Sequence, residues 1–132
     1  MMIQMNTDKT ILLVDDDIDF LRQHEMQLTA AGFKVLTAED SKSAMEIVNQ
    51  SRPDLAIVDI MMEHMDDGFA LCYQLKKKDS TMPVIVVTGV TSRTGMEFDA
   101  STEEERSWVK ADAMLAKPVR FEQLLREISR LV

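Results

Sequence analysis

Thr10–Val14 reads TILLV and runs directly into Asp15-Asp16-Asp17. A short, unbroken apolar run that stops at carboxylates reads as a strand buried on both faces, with polar chemistry at its carboxyl end. The pattern recurs along the chain. Phe33–Ala38 (FKVLTA) alternates and reads as a second strand, and Leu55–Val58, behind the break at Pro53, is a third that ends at Asp59. Pro83–Val87 (PVIVV) is a fourth, ending at Thr88, and Met114–Ala116 is a short fifth that stops before Lys117-Pro118.

Helical periodicity fills the gaps. Asp17 to Ala31 carries Phe20, His24, Leu28 and Ala31 at helical spacing, with Gly32 as a left-handed stop. Asp40 or Ser41 caps a second helix with the stripe Ala44, Ile47, Val48 and Ser51. Gly68–Lys78 is a third, with Leu71, Cys72 and Leu75 inward, and Phe121, Leu124, Leu125, Ile128 and Leu131 mark an amphipathic terminal helix. Residues 89–101 lack a pattern and read as loop, and Thr102 caps a short helix beginning Glu103-Glu104-Glu105. Strands alternating with helices imply an α/β fold: a doubly wound, five-stranded parallel sheet with flanking helices.

Composition bounds what such a domain can be. The chain has 132 residues, enough for one domain, and its 45% hydrophobic content can bury a core, which excludes global disorder. The longest apolar runs fall far short of the ~20 residues of a spanning helix. Residues 1–9 lack the pattern of a secretory signal, and the lone Cys72 cannot form an internal disulfide, so the expected compartment is the cytoplasm. A net charge of −8 argues against direct nucleic-acid binding and permits a cation or a basic partner face. The 11 methionines suit a flexible core filler.

Ligands of open α/β sheets sit beyond the carboxyl ends of the strands. There this chain places Asp15, Asp16, Asp17, Asp59, Thr88 and Lys117. Converging carboxylates repel one another unless a cation joins them, and an oxygen-only donor set suits Mg²⁺. A hydroxyl and an ammonium suit phosphoryl oxygens. The residues alone therefore point to an aspartate that receives phosphate beside Mg²⁺.

ILLVDDD at 11–17, LAIVDIMM at 55–62, VIVVTG at 84–89 and AKP at 116–118 together resemble the receiver domain of two-component response regulators, over about residues 9–132, with residues 1–8 as an N-terminal extension. The resemblance implies a flavodoxin-like sheet in strand order 2-1-3-4-5. It implies that Asp59 is the phosphoacceptor, and that Asp15, Asp16, Asp59 and the backbone carbonyl of Met61 bind Mg²⁺. Thr88, Gly89 and Lys117 would hold the phosphoryl group, Lys117–Pro118 would be a cis peptide, and Thr88 with Met114 would form the switch region. The implied donor is a histidine kinase or a histidine phosphotransfer protein, and the implied output is binding to a downstream protein. No direct nucleic-acid or membrane contact is expected, and the chain should be a monomer or weak homodimer. It would be a regulatory domain and not an enzyme with its own substrate turnover.

The chain departs from the family pattern in several places. Glu63 stands where receivers carry proline, Gly68 arrives one residue late, and Met114 occupies the place of an aromatic switch residue. The segment Gly89–Lys110 is long, and its part Val90–Lys110, which holds Trp108, is the candidate for partner specificity. Met61 and Val90 would flank the approach of hydrolytic water and, being unable to orient it, favour a long-lived phosphorylated state. Simpler roles suit other residues: a helix cap for Asp17, a packed and hydrogen-bonded core position for His24, a solvated loop for His64, and small core filler for Cys72. Two alternatives stand beside the phosphorelay switch. One is a Mg²⁺-dependent phosphatase of the haloacid-dehalogenase type, built on Asp15-Asp16-Asp17. The other is a degenerate receiver used only for protein binding. Because no output region follows the last helix, the chain reads either as a single-domain regulator or as a receiver cut from a longer protein.

Overall fold

The computed structural model describes residues 9–59, 67–88, 112–117 and 119–132. Five strands, β1 (Thr10–Val14), β2 (Lys34–Ala38), β3 (Leu55–Asp59), β4 (Val84–Thr88) and β5 (Ala113–Ala116), form one sheet in the order β2-β1-β3-β4-β5. Every neighbouring pair is parallel. This is the expected flavodoxin-like arrangement. The described helices are α1 (Ile18–Ala30), α2 (Ser41–Gln50), α3 (Asp67–Lys78) and α4 (Phe121–Leu131).

The apolar strands are explained by two separate cores. Side chains alternate across a strand. Leu12, Val14, Ala56, Val58, Val84 and Val86 pack on one face with Ala44 and Val48 of α2 and Leu71, Cys72 and Leu75 of α3. Ile11, Leu13, Leu55, Ile57, Ile85 and Val87 pack on the other with Leu21 and Leu28 of α1 and Leu124 and Ile128 of α4. Each fully buried aliphatic side chain contributes about 1.5–3 kcal/mol. Both sets of faces are used, so the central strands leave no room for a polar residue until they end. Edge strand β2 is mostly half-buried, hence its alternating sequence.

Local chemistry sets the boundaries. Asp17 lies outside α1 and caps it, accepting from the Asp19 and Phe20 N–H groups at 3.0 and 3.3 Å. Asp40, not Ser41, caps α2 by accepting from Ser43 N–H at 2.7 Å. After α1, Gly32 takes φ 106°, where a Cβ is unfavourable. Its N–H donates to Thr29 O and the Phe33 N–H donates to Leu28 O, at 3.0 and 3.1 Å. Phe33 and Leu28 are both buried in the same core, completing a Schellman stop. Phe33 therefore closes the helix and does not open β2. Two expected stripe residues, Ala31 and Ser51, also fall outside their helices as C-caps, and Leu21 takes a buried place on α1. The boundaries of β4 and β5 each move by one residue. No helix among the described residues is long and apolar enough to cross a membrane.

Cys72 is buried, which pushes its thiol up to about 12 and makes it an inert packing group. His24 is the polar member of the α1 face, only 4% exposed. Its Nδ1 lies 3.0 Å from Phe20 O, and because a carbonyl only accepts, Nδ1 carries the proton. Burial lowers the imidazole pKa, with the nearby Lys117 charge acting in the same direction, against hydrogen bonds that the ring makes to the backbone at Phe20 and Val119. A histidine held neutral in the fold but free to protonate when unfolded makes the unfolded state bind more protons, so its share of stability is lost as pH falls through the unfolded value. The stability of the native protein relative to His24→Leu should therefore decline between pH 7.5 and 5.5, by up to about 1.4 kcal/mol per pH unit. Urea unfolding at each pH measures it; parallel curves for the two proteins would contradict the assignment.

Candidate functional site

The parallel register brings the strand ends to one edge. The Asp15 N–H continues the β1–β2 ladder to Ala38 O at 3.1 Å, which carries Asp15 one step past the last apolar residue. Its side chain is bent back: Oδ1 accepts from the Asp17 N–H at 2.9 Å, leaving Oδ2 for the site. Asp59 ends β3 opposite Val87, and Thr88 ends β4 opposite Ala116. Lys117 follows β5, and its N–H donates to Thr88 O at 2.8 Å, fixing the base of its side chain beside the hydroxyl-bearing residue. Asp15, Asp59 and Thr88 are buried and Asp16 is exposed.

Side-chain oxygens of Asp15, Asp16 and Asp59 all lie within 4.8 Å of one another. Lys117 Nζ stands 3.1 Å from Asp15 Oδ2 and 3.5 Å from Asp59 Oδ2. The four groups expected to converge from β1, β3 and β5 thus do so, with Thr88 at the adjoining end of β4. Asp17 is excluded from this group by its capping role. Met114 lies within β5 opposite Val86, half-buried against the α2/α3 core, on the same face as Thr88 and one pair behind it. Met61, Gly89 and Pro118, together with Glu63, His64, Val90, Glu103–Glu105 and Trp108, lie outside the described residues.

The electrostatics favour a cation. Burial raises the pKa of Asp15 to about 6, and the Asp59 charge pushes the same way. The Asp17 N–H and the Lys117 ammonium oppose that rise without cancelling it. Burial also disfavours the charge on Lys117, but the carboxylates of Asp15 and Asp59 outweigh it and raise the lysine above its usual value. One ammonium is insufficient for this pair of buried acids. A hard divalent cation among oxygen donors would supply the missing charge, and the donor set fits Mg²⁺.

Two residues that the strand-end reading left out also belong to this corner. The Phe20 ring lies under Lys117, with Nζ 4.6 Å from its centroid. His24 stacks on the other side chain of that pair, ring centroids 4.1 Å apart and planes 26° from parallel to Phe20. The i, i+4 spacing of Phe20 and His24 immediately after the acidic cluster was the available signal, but it read only as a core stripe.

With this geometry established, comparison with known proteins places the chain in a family. A model of the response regulator receiver domain matches residues 11–129, and the chain belongs to that family. It is 36% identical to the heme response regulator HssR of Staphylococcus haemolyticus over 122 residues, covering 92% of this chain and 50% of that protein. It is also 36% identical to a probable transcriptional regulator, ycf27, of Guillardia theta, covering 74% of this chain and 39% of that one. The chain thus spans half or less of the length of these relatives. Among solved structures, the chemotaxis protein CheY4 of Vibrio cholerae superposes with a TM-score of 0.80 at 27% identity, over 94% of this chain and 98% of that one. A CheY-like receiver domain from Methanospirillum hungatei gives 0.79 at 28% identity, covering 92% and 91%. The protein is therefore a receiver domain of the two-component response-regulator class, and that membership replaces the haloacid-dehalogenase alternative.

The crowding of acids has a direct consequence for stability. Holding Asp15 ionised at neutral pH, against a pKa of about 6, costs about 3 kcal/mol relative to an ordinary aspartate. Asp15→Asn keeps an oxygen for the Asp17 N–H while removing that charge. In chelator at pH 7.5 the variant should be more stable than the native protein by about 1–3 kcal/mol, after allowing for its lost ion pair with Lys117. Mg²⁺ should then stabilise the native protein more than the variant. Urea titrations with and without Mg²⁺ measure both effects; a destabilised variant in chelator would contradict the account.

Proposed function

We propose that this receiver, taken as residues 9–132, is a phosphorylation-controlled switch in which Asp59 accepts a phosphoryl group from a phosphohistidine on a histidine kinase or a histidine phosphotransfer protein. One observation carries the reading: three carboxylates from two strand ends meet at the carboxyl edge of the sheet, with one ammonium against two of them. A structural cluster would pair its acids with bases one to one, whereas this edge gathers acids in excess.

In the proposed reaction an Asp59 oxygen attacks phosphorus in line with the donor imidazole. The new O–P bond forms as the P–N bond breaks, and the electron pair returns to the imidazole nitrogen. Asp15, Asp16, Asp59 and the Met61 carbonyl would hold Mg²⁺, which when bound neutralises charge on the phosphoryl oxygens. Lys117 supplies a second positive charge to those oxygens, and the Thr88 hydroxyl and Gly89 N–H supply donors. Catalysis of this kind rests on positioning and preorganised electrostatics, so each part must be fixed in advance. The Thr88 and Asp59 strand positions and the Lys117 N–H bond to Thr88 O suit that demand. The change in state would pass through Thr88 and, with Met114 in place of an aromatic ring, through a different packing response. The output is altered affinity for a downstream protein. The working form is a monomer or weak homodimer in the cytoplasm.

Acetyl phosphate with Mg²⁺ tests the reading without the cognate kinase. The native protein should gain one phosphoryl group by intact mass, Asp59→Asn none, and Lys117→Ala should label at least tenfold more slowly, about 1.4 kcal/mol of lost transition-state stabilisation. Labelling of Asp59→Asn at the native rate would overturn the assignment of Asp59. A native protein that binds neither Mg²⁺ nor phosphate would support the purely protein-binding alternative.

A further inference from the structure

We infer that Phe20 is a positioning residue for Lys117: its ring face holds the ammonium against the carboxylate pair, and His24 holds the ring. The inference deepens the phosphoacceptor reading and rests on it. Lysine carries its charge on a flexible four-carbon stem, so a lysine that must meet phosphoryl oxygens on demand has to be confined. Here Nζ has carboxylates at 3.1 and 3.5 Å and an aromatic face at 4.6 Å, within the ~6 Å reach of a cation–π contact. The carboxylates tie down the charge from one direction. The ring attracts it through its quadrupole without neutralising it, so the full charge remains available to an incoming anion.

The ring is itself placed by its backbone, through the helix cap, and by His24, which stacks on it. Phe20 is the third residue of α1, and its N–H is bound by the Asp17 cap at 3.3 Å. The cap that starts the helix therefore sets the ring's place relative to Asp15 and Asp16. One turn later His24 stacks on the ring at 4.1 Å, and its Nδ1–H donates to Phe20 O at 3.0 Å. His24 is buried and Phe20 packs against the α1/α4 core, which anchors the stack. An apolar residue would fill the same volume, but it would lack the Nδ1–H that ties the stacked ring to the Phe20 carbonyl. The sequence Asp17–Phe20–His24 thus joins the helix start to the lysine that follows β5.

The test is phosphorylation by acetyl phosphate with Mg²⁺, with melting temperature recorded for every variant. Phe20→Leu should slow labelling by about three- to tenfold. Phe20→Tyr, which keeps the aromatic face, should restore the rate to within about twofold. Trifluorophenylalanine placed at position 20 preserves the ring's shape and removes most of its negative face; it should slow labelling as Leu does while melting like the native protein. In a Lys117→Ala background the Phe20→Leu change should have no further effect. Equal rates for phenylalanine and its trifluoro form, in a native protein that does label, would overturn the role of Phe20 alone. A native protein that takes no phosphoryl group would instead refute the phosphoacceptor reading.

Discussion

Asp15 and Asp59 are buried with oxygens less than 4.8 Å apart, and Lys117 is the ammonium that reaches both. At that separation two unit charges repel by roughly 3 kcal/mol even at an effective dielectric of 20. Much else in the molecule follows from holding this arrangement. The parallel ladder fixes where each strand ends, so the acids cannot retreat without breaking backbone pairs. The bond from Asp17 N–H to Asp15 Oδ1 turns one carboxylate oxygen away and leaves the other for the site. The bond from Lys117 N–H to Thr88 O keeps the ammonium's strand in register with the acids. The repulsion that remains is what would make the site receptive to a cation.

The two cores give this edge its rigidity. Alternate residues of β1, β3 and β4 are committed to opposite helical layers, so a slip of one residue would exchange the two faces of a strand. The fold can therefore hold like charges together at its rim because the apolar strands behind them have only one workable register. Asp17 shows how closely the rim's residues divide their work. It is the third acid in a row, yet its oxygen is taken by the N–H groups that start α1. Asp15 and Asp16 are left to the cluster, and α1 begins where its first turn can reach Lys117.

Much of this could be read from the residues. Apolar runs ending in Asp, Asp, Thr and Lys gave the strands and their chemistry, because a strand buried on both faces cannot hide a polar residue until it ends. The sheet order came through the family resemblance and agrees with the structure. What escaped were features fixed by contacts across the sequence. Phe33 looked like the start of a strand because it begins an alternating run; its N–H instead closes α1, and its side chain packs on Leu28. Ser51 matched the α2 spacing, but Pro53 lies too close for the helix to continue through it. Phe20 and His24 read as core because periodicity reports which face a residue takes, and carries nothing about a lysine about a hundred positions away in sequence. The shift of the Asp15 pKa was equally hidden, since it arises first from burial at the end of β1 and then from the charge of a neighbour on another strand.

The claim at the centre of this account is that the crowded edge makes Asp59, and no other carboxylate, the acceptor. Borohydride reduces an aspartyl phosphate to homoserine, which marks the modified position permanently. Native protein treated with acetyl phosphate and Mg²⁺, reduced and digested, should yield homoserine at position 59 alone. Homoserine at position 15 or 16, or a phosphoryl group that survives reduction on a histidine or hydroxyl side chain, would contradict it.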